Sequence, residues 1–201
     1  GFNADNGGRL SALIDITTKD GNKKEFSGKI SSNPFLGKVI LEGPIQKLKS
    51  NGASSSYIFT AKQSYIKHTG DLLYPYLDSR GLPYEFRDLY GKVSLNSKNG
   101  TKFNLFGFNF NDKVVYENES LDWKSYGLGN KFILVPNNST SLIEGNISYS
   151  DYTSQLYSGQ DTTRFSQINN FNIGLNFNYF LPKTDIKYGF AVMALTTNYS
   201  F

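Results

Sequence analysis

Apolar and polar residues alternate along most of this chain with a period of two. The clearest run is residues 169–185, "NNFNIGLNFNYFLPKTD". There Phe171, Ile173, Leu175, Phe177 and Tyr179 fall on one side of an extended backbone. Asn170, Asn172, Gly174, Asn176 and Asn178 fall on the other. Successive strand side chains point to opposite faces, so this alternation predicts a strand with one apolar and one polar face. Pro182-Lys183-Thr184-Asp185 then turns the chain back. The same pattern predicts strands at 9–18, 25–31, 37–43, 56–66, 86–96, 101–112, 121–135, 141–152 and 185–201. Residues 19–24 read as a turn, 44–55 as a polar connection, and 67–85 as a loop punctuated by Pro and Gly. Helical periodicity is almost absent.

Two regularities narrow the class. The expected strands are about 11–15 residues long, where strands of soluble proteins are mostly about 5–6. The connections also alternate in length: short at 97–100, 136–140 and 182–184, long at 67–85, 113–120 and 153–164. Short turns at one end and long loops at the other are the pattern of an outer-membrane barrel. About 11 residues at ~3.3 Å each, tilted near 45°, rise ~25 Å, the height of such a barrel's outer apolar band. On this reading Phe171 to Tyr179 face lipid, while Asn and Gly face a water-filled or plugged lumen. Strand 141–152 repeats the scheme, with Ile143, Gly145, Ile147 and Tyr149 outward and Glu144, Asn146, Ser148 and Ser150 inward. Strand 121–135 sets Tyr126, Leu128, Phe132 and Leu134 against Ser125, Gly127, Gly129 and Lys131. Tyr57, Phe86, Trp123, Tyr152, Phe180 and Tyr199 stand near strand ends and are expected to form interface girdles. A soluble sandwich or solenoid also alternates. The strand lengths argue against the first, and the absence of a repeat of about 20–30 residues against the second.

Composition adds exclusions. Aromatics reach 15 %, too many for a disordered chain. There is no cysteine, so no disulfide framework and no thiol chemistry. The net charge of +4 is mild, and the small clusters at Lys23-Lys24 and Lys47–Lys49 read as solvated turns, not as a nucleic-acid patch. No apolar run approaches the ~18 residues of a membrane helix. The start, Gly1-Phe2-Asn3-Ala4-Asp5, lacks both Met and the charged and apolar parts of a signal peptide. The expectation is a mature or internal part of something longer.

Signals for catalysis are weak. The single histidine, His68, stands near Asp71, but two such residues do not make a metal site. No G-x-S-x-G elbow, P-loop or dinucleotide fingerprint occurs. Asp71, Asp78, Glu85 and Asp88 cluster around one loop, where carboxylates are usually solvated. The expectation is a protein that is not an enzyme and needs no cofactor. The loop 67–85 is the best candidate for binding a substrate. Its Tyr74, Tyr76 and Tyr84 could stack on sugars or planar chelates, and Arg80 could clamp a carboxylate. The same aromatics could instead pack the loop on the barrel rim.

The front of the chain carries a resemblance. "NGGRLSALIDITTKDGN", then "FSGKIS" and "GKVILEGPI", resembles the plug-to-barrel junction of TonB-dependent outer-membrane receptors, above all the Bacteroidetes-type members. "LPYEFRDLYGKVSLNSKNGTKFNLFGFNFND" resembles a later strand–turn–strand of the same family. The resemblance is specific over 6–45, fair over 82–112, and a matter of pattern beyond. It implies an all-β fold: an antiparallel transmembrane β-barrel, here its N-terminal portion, preceded by the last strand of a plug domain. Residues 1–23 would end the plug, and 24–201 would form the first roughly nine barrel strands. Gly7, Gly8, Arg9 and Asp15 would belong to the plug's final strand and its docking. The implied function is energised uptake of a glycan, peptide, siderophore or vitamin across the outer membrane of a Gram-negative bacterium. Implied partners are TonB, engaged through a segment not in these residues, outer-membrane lipids, and a surface lipoprotein; nucleic acid is not among them. Such transporters close with about 22 strands.

The rival reading is a complete small barrel or surface β-protein with a structural or adhesive role. It takes residues 9–18 as a tenth strand and Phe201 as a C-terminal aromatic. A barrel that small should fill its interior with bulky inward side chains.

Overall fold

The computed structural model describes residues 16–73, 84–116, 119–159 and 162–200. Nine strands follow one another: β1 (Ser27–Ser32), β2 (Leu36–Gln46), β3 (Ser54–Ser64), β4 (Tyr84–Asn96), β5 (Lys102–Tyr116), β6 (Glu119–Leu134), β7 (Ser141–Ser158), β8 (Thr162–Leu181) and β9 (Thr184–Ser200). A helix, α1 (Ile66–Leu73), lies between β3 and β4. The strands form a single sheet in sequence order. Every neighbouring pair is antiparallel. The all-β antiparallel architecture expected from the alternation is thus the one observed, as the up-and-down meander from which barrel walls are built.

The register assigns each side chain to a face. One row across β2 to β9 reads Leu41, Phe59, Gly91, Gly107, Leu128, Tyr149, Phe171, Ala194. The next, toward the β4–β5 turn, reads Gly43, Tyr57, Val93, Leu105, Asn130, Ile147, Ile173, Val192. These rows make an apolar face, and its side chains are open: Leu128 is 59 % and Phe190 56 % exposed. The opposite face reads Ser56, Ser94, Asn104, Lys131, Asn146, Gly174, Ala191 along one row. The apolar set of β8, Phe171 to Tyr179, and its polar partner set lie on the faces the alternation predicts. So do the two sets of β6 and those of β7.

The apolar face ends abruptly toward the end where β1–β2, β3–β4, β5–β6 and β7–β8 connect, hereafter the upper end. One row up it reads Ala61, Leu89, Asn109, Tyr126, Asp151, Asn169, Thr196. The row above that is wholly polar: Gln63, Arg87, Asn111, Lys124, Thr153, Gln167, Asn198.

Several expectations need correction. The long loops expected at 113–120 and 153–164 are continuations of strands. β5 and β6 are joined by residues 117–118 alone, and β7 and β8 by 159–161. These stretches lie above the apolar band, where apolar and polar residues mix on both faces, so the alternation was lost while the backbone stayed paired. Within 67–85, α1 occupies the first part and β4 already begins at Tyr84. Eight residues containing Gly70 are too short, and too poor in helix propensity, to reveal a 3.6-residue period. Of the expected strand 9–18, residues 16–18 belong to no strand, and the rest lies outside the described residues. The expected girdle also divides. Tyr57 is on the apolar face, but Phe86, Trp123, Tyr152, Phe180 and Tyr199 are on the polar one. The aromatics bounding the apolar face are instead Tyr126 and Tyr149 above, with rings 6.3 Å apart, and Tyr179 and Tyr188 below, 6.1 Å apart.

The lower turns match the sequence. Gly100 ends the turn after β4 at φ 89°, where a side chain would be strained, and its N–H donates to Ser97 O at 3.2 Å. The Asn99 amide donates to Val135 O at 2.8 Å, joining this turn to the one after β6.

Candidate functional site

The polar face carries a strap. Residues 16–26 precede β1 and run as irregular chain across β2–β4. Their backbone cannot pair in a ladder, so side chains from the sheet take up its polar groups. The Lys92 ammonium, 6 % exposed, donates to Thr18 O at 2.8 Å and lies 3.0 Å from Asp20 Oδ1. Ser94 Oγ donates to the same Asp20 oxygen at 2.9 Å. Lys19 Nζ reaches both oxygens of Glu42, at 2.8 and 2.9 Å. Thr18 Oγ1 and the Tyr90 hydroxyl share a bond of 2.7 Å. Asn22 Oδ1 caps the turn by accepting from the N–H groups of Lys24 and Glu25 at 2.9 and 3.2 Å.

Two features let the strap lie this close. Ser56 and Ser94 are small and fully buried, and they make the floor. Gly21 rests on the β3 backbone, where an added Cβ would stand 1.9 Å from Tyr57 O. Burial alone would push the Asp20 carboxyl up. Hydrogen bonds from Lys92 and Ser94 and the charge of Lys92 outweigh it, and hold the group below the ordinary carboxylate value.

The polar face is not uniform. β5 turns Phe106, Phe108 and Phe110 onto it, beside Gly129, Gly127 and Ser125 of β6. The phenyl rings lie across those glycines: a Cβ on Gly129 would stand 2.5 Å from Phe106 Cζ, and one on Gly127 2.7 Å from Phe108 Cε1. Phe108 and Phe110 stack at 4.9 Å. The rings cover backbone that would otherwise lose the packing of a side chain. The same device operates on the apolar face, where Phe132 covers Gly145.

At the upper end, Tyr84 begins β4 and donates its hydroxyl to Asp112 Oδ1 at 3.0 Å. Lys62 pairs with Asp88 at 2.5 Å and sits 5.8 Å from the Phe86 ring. Tyr84 is therefore a strand residue on the polar face. Its expected companions Tyr74, Tyr76 and Arg80 lie outside the described residues, as do Gly7, Gly8, Arg9 and Asp15. A cleft of about 410 Å³ opens at this end between β3 and β6. His68 stands exposed on α1.

Lys92, Asp20, Gly21 and Glu42 were not singled out from the sequence. One signal could have found Lys92, a cation on the polar face of a strand whose length spans the apolar band. It needs a buried partner, and "KDGN" is the acidic turn that supplies one.

No protein-family model matches the chain, and no curated protein or solved structure matches it.

Proposed function

We propose that this chain is wall and plug junction of a TonB-dependent outer-membrane transporter, with 1–23 ending the plug and 24–201 forming successive strands of a larger barrel. The observation that carries this reading is the asymmetry of the sheet. One face bears a bounded apolar band, and the opposite polar face bears a docked strap.

Phe171 to Tyr179 span about 26 Å along β8, or ~20 Å upright at a 45° tilt, most of the ~25 Å lipid-facing band of such barrels. Across seven strand spacings of ~4.8 Å the band covers on the order of 700 Å², more than soluble monomers usually expose in one patch. Lipid covers it in this reading. The paired strands satisfy the backbone inside the bilayer, as a spanning structure requires. The strap then stands in the lumen, where Lys92, Glu42 and Tyr90 anchor the end of the plug to the wall. A TonB-driven remodelling of the plug would pull against this anchor, and the wall would stay. Substrate would arrive at the upper end; it is a glycan, peptide, iron chelate or vitamin. The chain acts here in transport, not as an enzyme.

The rival small barrel draws on one observation: Phe106, Phe108 and Phe110, with Trp123 and Tyr152, are bulky residues on the polar face. Against it, three of those rings lie flat over glycines or stack on each other, and the strap occupies the same face. The deciding experiment is the intact mass of the native polypeptide in outer-membrane fractions, followed by energised uptake assays. A mass several times that of the 201 residues is expected. A mass close to that of this chain alone would sink the transporter reading in favour of the small barrel.

A further inference from the structure

We propose that the chain just before the strap, residues 10–16, lies along β5 on the polar face and covers Phe106, Phe108 and Phe110. This goes beyond the transport reading and rests on the strap and the sheet alone.

The path of the strap carries the first argument. Gly21 lies on the β3 backbone at Tyr57. Asp20 is held by Ser94 and Lys92 of β4, and Thr18 by Lys92 and Tyr90. Traced backward, the chain thus crosses from β3 to β4 and climbs from the level of Ser94 to that of Tyr90. The partners of Lys92 and Tyr90 on β5 are Phe106 and Phe108, and the partner of Asp88 above them is Phe110. One further strand spacing of ~4.8 Å on the same line brings the chain over these rings. The described part of the strap begins just short of that point, at Ile16, an apolar side chain left 81 % exposed.

Period supplies the second argument. Phe106, Phe108 and Phe110 recur every second residue, about 6.7 Å apart along β5. Ile16, Ile14, Ala12 and Leu10 recur with the same period, in a segment whose alternation predicts an extended chain. An extended 10–16 can therefore set one apolar side chain against each ring. Gly129, Gly127 and Ser125 stand beside the rings on β6. They are too small to obstruct a covering segment, and they carry no charge that it would strip of water. The three rings are half-buried on the polar face, and large aromatic side chains gain most from further cover.

The test uses the full native polypeptide, purified in mild detergent. These 201 residues hold no cysteine, so paired substitutions report proximity through disulfide formation. T18C/Y90C, at a contact the structure shows, sets the scale of full closure. I14C/F110C should close to the same extent under mild oxidation. I14C/I168C should stay reduced, because Ile168 lies in the Phe110 row but on β8. F110W keeps a ring at the seat and should quench a bimane label on I14C, whereas I168W should not. Equal closure onto both positions would overturn the proposal, as would neither closure nor quenching at position 110. Failure of T18C/Y90C to close would remove the strap on which the proposal stands. Labelling of F108C by a water-soluble maleimide as fast as S148C would also overturn it, and would leave the rings to a substrate or another chain.

Discussion

At the scale of single residues, the junction depends on one glycine and one buried lysine. Gly21 cannot become Ala without moving the β3 carbonyl 1.9 Å from the new methyl, and that carbonyl belongs to a paired strand. G21A should therefore lift the strap from the sheet while the sheet persists. Limited proteolysis near Lys19–Lys24 would report it as cleavage absent from the parent. Lys92 is nearly inaccessible, and its removal leaves the Thr18 carbonyl without its side-chain donor and Asp20 with only Ser94 and the more exposed Lys23. K92M should cost about 1–3 kcal/mol, less than a fully buried pair because Asp20 is partly exposed. A fall in thermal midpoint that D20N does not add to would show that the two act as one unit. The Asp20 carboxyl is held below its ordinary value, so its contribution is fully present above about pH 4. It is lost as pH falls through the lower folded value. Protease protection of the strap should thus hold from neutrality to about pH 4 and weaken below it, and D20N should remove that pH dependence.

At the scale of elements, the Phe-over-Gly pairs explain why the strands contain so much glycine without coming apart. Gly129 and Phe106 are separate residues on β6 and β5, yet each position presupposes the other. G129A should force the ring off its neighbour and destabilise by roughly 1 kcal/mol, with smaller effect in an F106L background. A double-mutant cycle on urea unfolding measures this coupling. These elements also show what the sequence could disclose. Phe171 to Tyr179 could be read directly, because a strand with one apolar and one polar face writes both into every second residue. The upper parts of β5–β8 could not. Lys113, Asp122, Thr153 and Gln167 sit above the band, where the alternation disappears. The inward Phe106, Phe108 and Phe110 were equally hidden, because "FNLFGFNF" supplies aromatics to both parities and only the register tells them apart. The strap's anchors join residues 23 to 74 positions apart, as in Lys19 to Glu42 and Lys92 to Thr18, and no local pattern encodes such pairs.

At the scale of the whole molecule, the two faces should behave as two solvents. The chain has no cysteine, so an introduced thiol is a clean probe. In membranes, L128C should be shielded from a water-soluble maleimide and S148C should react, although Gly129 and Ser148 are direct partners across the sheet. Equal reaction at both positions would remove the lipid from one face, and with it the transport proposal.

The order of the strands bears on how the molecule comes into being. Each of β2 to β9 pairs with its immediate predecessor, and most connections are only a few residues long. Closing so short a span costs little chain entropy, and the price rises only slowly with length. Assembly can then proceed as growth from an edge, each finished strand templating the next. The connection of 19 residues between β3 and β4, which contains α1, is the longest closure in that series. Once it closes, Lys92 arrives opposite the strap, so the junction is clasped before the longest strands of the wall are laid down.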